Sequence, residues 1–171
     1  MPVIVLTGVE NAGKTSLAKA LSQELAWPWI PEFARTDAAV ISHSAEHIDL
    51  QRLHDTFRRS LAGSRENGKE NILCDTGALV LDMWSRTAFE RPLMGAEDTM
   101  HTVDLHLLCH TLTDWEPDPL RTLPLLDDRL ALQDKYRQRL LDTGVRFAEI
   151  SSSAHADRLT EALHHIRTLA P

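Results

Sequence analysis

A glycine-rich segment near the start of the chain has the residue types and spacing of a phosphate-binding loop. The segment Gly8-Val9-Glu10-Asn11-Ala12-Gly13-Lys14-Thr15 fits the pattern G-x-x-x-x-G-K-[ST]. Its glycines permit backbone angles that point amide N–H groups at phosphate oxygens, and the following helix adds its positive amino-terminal end. Lys14 would bind the β- and γ-phosphates, and Thr15 would offer a hydroxyl to Mg²⁺. The expected nucleotide contacts are Gly8, Glu10, Asn11, Ala12, Gly13, Lys14, Thr15 and Ser16.

Two carboxylates stand where apolar runs end. Asp75 follows the run 71–74, and Glu32 follows the run 27–31. In an open parallel sheet, ligands bind at the carboxyl ends of strands, so both side chains are candidates for a site. Asp75 could orient Mg²⁺ and its waters, or cap the next helix, or do both. Glu32 could hold or deprotonate a substrate hydroxyl, or it could form an exposed ion pair with Arg35.

A proline-rich stretch, about 111–128, has the character of a mobile lid, and we call it the lid segment. It contains Trp115 and Arg121, and Arg129 begins the predicted helix that follows. A mobile arginine can stabilise the charge that develops during phosphoryl transfer, and loop closure excludes water. Arg121 is therefore a candidate catalytic residue, with Arg129 as a second candidate contact to the nucleotide. Exposed loops commonly carry arginines, so Arg129 alone gives no distinct signal.

Histidines recur at spacings that invite a metal interpretation. His43 and His47 are four residues apart, and so are His106 and His110. Neither pair has a third ligand close in sequence, so we expect surface or core histidines and no metal site of their own.

Short apolar runs alternate with longer segments of helical period, which predicts an α/β fold with a mostly parallel sheet. We expect five strands, at 2–7, 27–30, 71–75, 104–110 and 146–150. We expect helices at 14–25, 46–67, 77–87 and 129–142, and a final helix capped by serines 151–153.

Length and charge limit the class of protein. The 171 residues fit one domain, 1–171, and show no internal repeat. The net charge of −7 argues against nucleic-acid binding, which requires a basic surface. Cys74 and Cys109 lie in predicted strands, so we expect buried thiols and a reducing compartment. No leader or membrane span is evident, so a cytoplasmic protein is the expectation.

Several separate segments together resemble one family, the nicotinamide riboside kinase domain of NadR-type proteins and related stand-alone, AAA-like P-loop proteins. The lid segment carries the most specific similarity, because the family has a Trp-x-x-Asp-Gly-Leu-Arg sequence there. The matching segments are the phosphate loop, Glu32-Phe33-Ala34-Arg35, Cys74-Asp75-Thr76, and the strand from Asp104 followed by Trp115, Asp118, Leu120 and Arg121.

The resemblance implies a three-layer, nucleotide-kinase-like P-loop fold that transfers the ATP γ-phosphate to the ribose 5′-hydroxyl of nicotinamide riboside. It implies that ATP and Mg²⁺ are bound, with Thr15 and Asp75 holding the metal. The implied catalytic residues are Lys14, Glu32, Asp75 and Arg121, and the implied acceptor contacts are Glu32, Arg35 and Trp115.

The sequence departs from the family pattern at two positions. Gly77 replaces an aspartate, and Pro119 replaces a glycine in the lid segment. The first departure favours an alternative, a kinase for another nucleoside, a nucleotide or a different hydroxyl compound. A second alternative is a regulatory P-loop ATPase that acts as a nucleotide-dependent switch and has no acceptor.

Overall fold

A five-stranded parallel sheet forms the centre of the protein. The computed structural model describes residues 2–68 and 71–169. The strands are β1 (Val3–Thr7), β2 (Trp29–Ile30), β3 (Ile72–Asp75), β4 (Leu105–Cys109) and β5 (Phe147–Ile150). Their order across the sheet is β2-β3-β1-β4-β5, and every pair is parallel, which confirms the predicted fold class. The carboxyl ends of β1, β3 and β4 therefore meet at one edge, with β1 in the middle.

Helices cover both faces of the sheet. They are α1 (Lys14–Leu25), α2 (Ala38–Ile41), α3 (His47–Glu66), α4 (Ala78–Phe89), α5 (Ala96–His101), α6 (Leu126–Thr143) and α7 (His155–Arg167). A short 3-10 helix spans Phe33–Thr36.

Alternate residues of each strand point to opposite faces of the sheet, and the core divides accordingly. Ile4 and Leu6 of β1 pack with Leu17 and Leu21 of α1 and with α7 on one face. Val5 packs on the other face, beneath α3. Because strands buried on both faces are apolar throughout, their positions were predicted to within about two residues.

Both cysteines are buried in strands, as predicted. Burial raises the pKa of the Cys74 thiol to about 12 and that of Cys109 to about 11. Neither thiol is therefore ionised at neutral pH, and both behave as small core residues. Within the described ranges, no helix is both long enough and apolar enough to cross a membrane.

Two predicted boundaries are wrong. Helix α6 begins at Leu126, so the lid segment ends at Leu125; Asp127 and Asp128 in the first turn suit the positive end of the helix. The predicted serine cap of the final helix is also absent: α7 begins after Ala154, which has no capping side chain. The amides of Ser151 and Ser152 instead donate to the Glu161 carboxylate of the same helix.

Candidate nucleotide and acceptor site

The phosphate loop connects β1 to α1 and depends on its glycines. Gly8 has φ 136°, and a Cβ there would lie 2.5 Å from the carbonyl oxygen of Cys109, so no side chain fits. Gly13 has φ 65° and precedes the first turn of α1. Asn11, at φ 57°, is also in the left-handed region, which asparagine tolerates better than most residues. The resulting loop leaves the amino-terminal end of α1 open to an anion.

Lys14 lies folded over the phosphate loop. Its Nζ donates to the carbonyl oxygens of Gly8, at 3.0 Å, and Val9, at 2.7 Å. These contacts keep the ammonium group beside the loop amides. A bound phosphate would have the lysine charge within reach, as the sequence motif predicts.

Asp75 is a buried carboxylate at the carboxyl end of β3. The residue is 1% exposed, and its Oδ1 has no hydrogen-bond partner within the described part of the chain. Burial raises the pKa of this carboxyl, while the hydroxyl of Thr15 and the charge of Lys14 act in the opposite direction. Asp75 therefore lies close to both phosphate-loop residues that the sequence assigned to Mg²⁺ and phosphate.

The available ligands fit Mg²⁺. A hydroxyl and a carboxylate are hard oxygen ligands, and Mg²⁺ in nucleotide sites takes one or two such groups and completes its shell with phosphates and water. The unpartnered Oδ1 of Asp75 offers an acceptor for such a shell. Among residues 2–68 and 71–169, no three His, Cys, Asp or Glu side chains form a preassembled metal cluster, and Mg²⁺ bound with phosphates does not need one.

The backbone after Asp75 adopts a costly conformation. Thr76 has φ 81°, where a β-branched residue is a marked outlier, and such strain is typical of functional sites. Next to it, a Cβ on Gly77 would lie 2.8 Å from Cγ1 of Val5 and 3.4 Å from Cζ of Phe57. A side chain at this position would therefore require Val5 or Phe57 to shift.

A pocket opens beside Asp75. The space in it that a water-sized molecule can reach is about 20 Å³, so the pocket is a narrow cleft that must widen to admit a nucleoside. Its walls are mostly apolar, with carboxylates at Glu32 and Asp75 and no lysine or arginine; the lining residues are Pro31, Glu32, Phe33, Ala34, Leu53, Phe57, Asp75, Thr76, Gly77 and Leu81. An apolar pocket with a few polar groups is the usual form of a small-molecule site. Two predicted site residues, Glu32 and Asp75, therefore share one candidate acceptor pocket.

The side chain of Asn11 fastens the lid segment to the phosphate loop. Its amide nitrogen donates to the carbonyl oxygens of Asp114, at 2.7 Å, and Leu112, at 3.4 Å. Its amide oxygen accepts hydrogen bonds from the Glu116 backbone, at 3.3 Å, and from Nη1 of Arg121, at 3.0 Å. The lid segment is irregular, as predicted, and lies docked on the loop; its mobility stays a prediction.

Glu10 forms a second connection to the lid segment. Its carboxylate accepts hydrogen bonds from the backbone amides of Thr122, at 2.8 and 3.0 Å, and Leu123. Glu10 and Asn11, which occupy unspecified positions of the phosphate-loop motif, thus hold the lid segment through their side chains. Their contact with a nucleotide stays a prediction.

Arg121 lies against the phosphate loop, and its catalytic role stays a prediction. Besides Asn11, its Nη1 bonds to the Glu116 carbonyl oxygen, while its buried Nε has no partner within the described residues. The guanidinium carbon is 5.9 Å from the ring centroid of Trp115. A partly unsatisfied arginine beside the loop is suitably placed to meet a phosphate.

Arg129 has a different position from the one expected. The residue is fully buried, and its guanidinium carbon lies 5.0 Å from the Trp115 ring centroid. Its donors bond to Thr111 Oγ1 and to the carbonyl oxygens of Leu112, Thr113, Leu123 and Pro124. These bonds hold the two arms of the lid segment together. They give no support to the prediction that Arg129 binds the nucleotide.

Arg35 joins the acceptor pocket to the lid segment. Its Nε donates to Glu32, at 3.0 Å, and its Nη1 donates to Asp118, at 2.9 Å. The backbone amide of Leu120 and the Arg35 guanidinium hold the pKa of Asp118 below its usual value. The predicted Glu32–Arg35 pair is therefore present, and it extends across the site to a lid carboxylate.

The histidine pairs occupy ordinary structural positions. His106 is buried, and its Nε2 contacts the Met100 carbonyl oxygen. His110 contacts Glu149, and His47 contacts Ser85.

One buried residue at the site lacked any sequence signal. Arg158 of α7 donates to the carbonyl oxygen of Ala12 in the phosphate loop, at 2.7 Å. The two residues are far apart in sequence, and no local motif marks an arginine for such a contact.

The sheet order, the phosphate loop and the strand-end carboxylate together define a P-loop domain. The chain belongs to the AAA domain family, which its sequence matches over residues 3–158. A comparison with curated proteins gave no match.

Solved structures with the same fold bind nucleosides or nucleotides. A NadR protein in complex with NR has a TM-score of 0.77 at 18% identity; the match covers 98% of this chain and 51% of that one. The chain thus spans about half the length of the NadR protein. Deoxyadenosine kinase from M. mycoides has a TM-score of 0.66 at 13% identity, covering 97% and 99% of the two chains. Thymidylate kinase from Candida albicans has a TM-score of 0.65 at 15% identity, and the match covers 98% of this chain and 91% of that one. These likenesses establish the fold and confirm the resemblance to NadR-type P-loop domains.

Proposed function

We propose that the protein is an ATP- and Mg²⁺-dependent small-molecule kinase that phosphorylates the ribose 5′-hydroxyl of nicotinamide riboside or a similar nucleoside. The observation that carries the proposal is the position of Asp75, buried between the phosphate loop and a pocket that Glu32 also lines. A protein that only bound a nucleotide would need no second pocket beside this carboxylate. The shared fold with the NadR protein bound to NR and with deoxyadenosine kinase supports the same conclusion.

The proposed reaction is in-line transfer of a phosphoryl group. Bound Mg-ATP supplies the γ-phosphoryl group, and Thr15 and Asp75 are the residues that would hold the metal. The loop amides and Lys14 hold the phosphates, while Arg121 stabilises the charge on the transferring group. Glu32 accepts a hydrogen bond from the acceptor hydroxyl and orients it. Because the transition state is loose, positioning and charge stabilisation contribute more than the strength of a base.

The pocket also limits the class of acceptor. Its walls are mostly apolar, which suits the base of a nucleoside, and the Glu32 carboxylate at its rim is paired with Arg35 at 3.0 Å.

Two other functions have an observation in their favour. The NadR-type pattern that the sequence resembles has an aspartate where this chain has Gly77, and this departure favours a kinase for a different hydroxyl compound. The contacts of Glu10 and Asn11 with the lid segment couple the phosphate loop to a surface element, as a nucleotide-dependent switch requires.

A panel of acceptors separates these functions. Purified protein with Mg-ATP or Mg-GTP is incubated with nucleosides including nicotinamide riboside, with nucleoside monophosphates and with no acceptor, and nucleoside diphosphate release is followed. We expect a nucleoside to stimulate release strongly. Hydrolysis that no small acceptor changes, but that a protein partner raises, would support the switch and contradict the kinase.

Lys14→Ala provides the mechanistic control in the same assay. Loss of the lysine charge should lower turnover at least about a hundredfold, as for other groups that stabilise transition-state charge. Lys19→Ala, on the exposed side of α1, is the matched control and should be active. Unchanged turnover in Lys14→Ala would contradict the mechanism.

A further inference from the structure

A buried arginine lies directly behind the phosphate loop. Arg158 of α7 is 3% exposed. Its Nη2 donates to Ala12 O, at 2.7 Å, and to His110 O, at 3.3 Å, and its Nη1 donates to Ser152 O, at 2.9 Å. The three carbonyl groups belong to the phosphate loop, the residue after β4 and the residues after β5. One guanidinium therefore joins three separate segments at the carboxyl edge of the sheet.

The contact with Ala12 fixes the orientation of the next amide. The carbonyl of Ala12 and the N–H of Gly13 belong to one planar trans peptide, so they point in opposite directions. When Arg158 holds the Ala12 oxygen on the α7 side, the Gly13 N–H must point away from Arg158. Glycine has the least restricted backbone of all residue types. Without the contact from Arg158, the peptide plane between Ala12 and Gly13 would therefore reorient easily.

The charge of Arg158 is not neutralised locally. Within residues 2–68 and 71–169, no carboxylate lies within ion-pair distance of Arg158, and its hydrogen bonds go to backbone carbonyl oxygens. A buried charge acts over longer distances than an exposed one, because the surrounding medium screens it less. The chain carries a net charge of −7, so a local positive charge is needed where phosphates bind.

We propose that Arg158 is a positioning residue for the nucleotide: it orients the Gly13 amide and adds an unneutralised positive charge behind the phosphate loop. The inference rests on the nucleotide site of the proposed function, and it does not depend on the identity of the acceptor. It predicts that Arg158 contributes to binding of the β-phosphate, and that this contribution is separable from its contribution to stability.

The experiment compares Arg158→Lys and Arg158→Met with the wild type and with Arg65→Met. Arg65 is the matched control, because its Nη2 also donates to a backbone carbonyl, that of Thr102, at 2.7 Å, near the opposite edge of the sheet. Dissociation constants for Mg-ADP are measured by calorimetry, unfolding midpoints by circular dichroism, and the Gly13 amide resonance by ¹⁵N NMR with and without Mg-ADP.

We expect both Arg158 variants to bind Mg-ADP at least about tenfold more weakly, since charge-assisted hydrogen bonds are the strong ones in such sites. Lysine keeps the charge but has one donor nitrogen in place of Nη1 and Nη2, so Arg158→Lys should lose affinity for Mg-ADP beyond what any fall in its unfolding midpoint explains. The Gly13 resonance should shift on Mg-ADP addition in the wild type and in Arg65→Met, and shift much less in Arg158→Lys.

Three results would overturn the proposal. One is that Arg158→Lys binds Mg-ADP with an affinity within twofold of the wild type, whether or not its unfolding midpoint falls. If Arg158→Met does not fold, the result for Arg158→Lys alone decides. Another is equal loss of affinity in Arg65→Met, and the third is a wild type that binds no Mg-ADP. Failure of the kinase proposal is distinct: the wild type would bind Mg-ADP normally but phosphorylate no acceptor.

Discussion

Substitution of Gly77 by alanine tests whether packing against β1 is the reason for glycine beside the acceptor pocket. A Cβ at this position would lie 2.8 Å from Cγ1 of Val5, and carbon atoms in contact prefer about 3.5–4.0 Å. Val5 is 1% exposed and belongs to the central strand of the sheet, so it cannot move far. We expect Gly77→Ala to lower the free energy of unfolding by about 1–3 kcal/mol, the usual cost of overpacking a core.

A second substitution makes the test specific. Val5→Ala removes the methyl group that the new Cβ would meet, and by itself it should cost roughly 1–3 kcal/mol through the lost burial and the cavity. In the double variant the alanine at 77 fills part of that cavity. The double variant should therefore be more stable than the sum of the two single effects predicts, by about 1–3 kcal/mol.

Urea unfolding of the wild type, both single variants and the double variant gives the coupling free energy directly. Gly63→Ala is the control, because a Cβ at Gly63 meets no atom within 4 Å, and alanine in a helix interior should be neutral or stabilising. Effects of Gly77→Ala and Val5→Ala that add within about 0.5 kcal/mol would refute the packing explanation. In that event the absence of an aspartate at 77 would need a functional cause.

Two further predictions concern the lid segment and pH. Asn11→Gly keeps a residue that tolerates φ 57° but removes the side chain that binds Asp114 and Glu116. The backbone amide of Glu116 should then exchange its hydrogen at least about tenfold faster. An exchange rate equal to that of an Asn67→Ala control would contradict the role assigned to Asn11. The Arg137 guanidinium lowers the pKa of Glu149 to about 2 from an ordinary value of 4.5, although burial opposes the shift. The unfolded chain therefore binds this proton more tightly, and the stabilising contribution is complete above pH 4.5 and is lost as pH falls toward 2. Arg137→Met should be less stable at pH 7 and lose less stability across that window than the wild type; parallel stability curves in urea unfolding would refute this.

Features encoded by neighbouring residues could be predicted from the sequence. The phosphate loop lies within eight consecutive positions, and strands buried on both faces show as short apolar runs. Asp75 and Glu32 could be placed at one edge because all strands of a parallel sheet end there. The short helices α2 and α5, of four and six residues, were not predicted, because they are too short to show a helical period.

Features that depend on distant contacts could not be predicted. Arg158 and Ala12 are 146 residues apart, and an arginine on a helix is usually exposed. The capping prediction for serines 151–153 was wrong because Glu161, ten residues further on, binds the Ser151 amide. Gly77 could be seen as a departure from related sequences, but its cause requires the position of Val5 on the neighbouring strand.

The buried guanidinium of Arg129 determines how the lid segment can move. It binds carbonyl groups on the arm that leaves β4 and on the arm that returns to α6, and the helix that carries it begins at Leu126. Unravelling either arm would leave a buried cation without acceptors, which is costly. Displacement of the lid segment should therefore carry both arms and the first turn of α6 together as one rigid flap. Its opening rate would then depend on how firmly Glu10, Asn11 and Arg35 hold the flap, and little on the flexibility of the prolines within it.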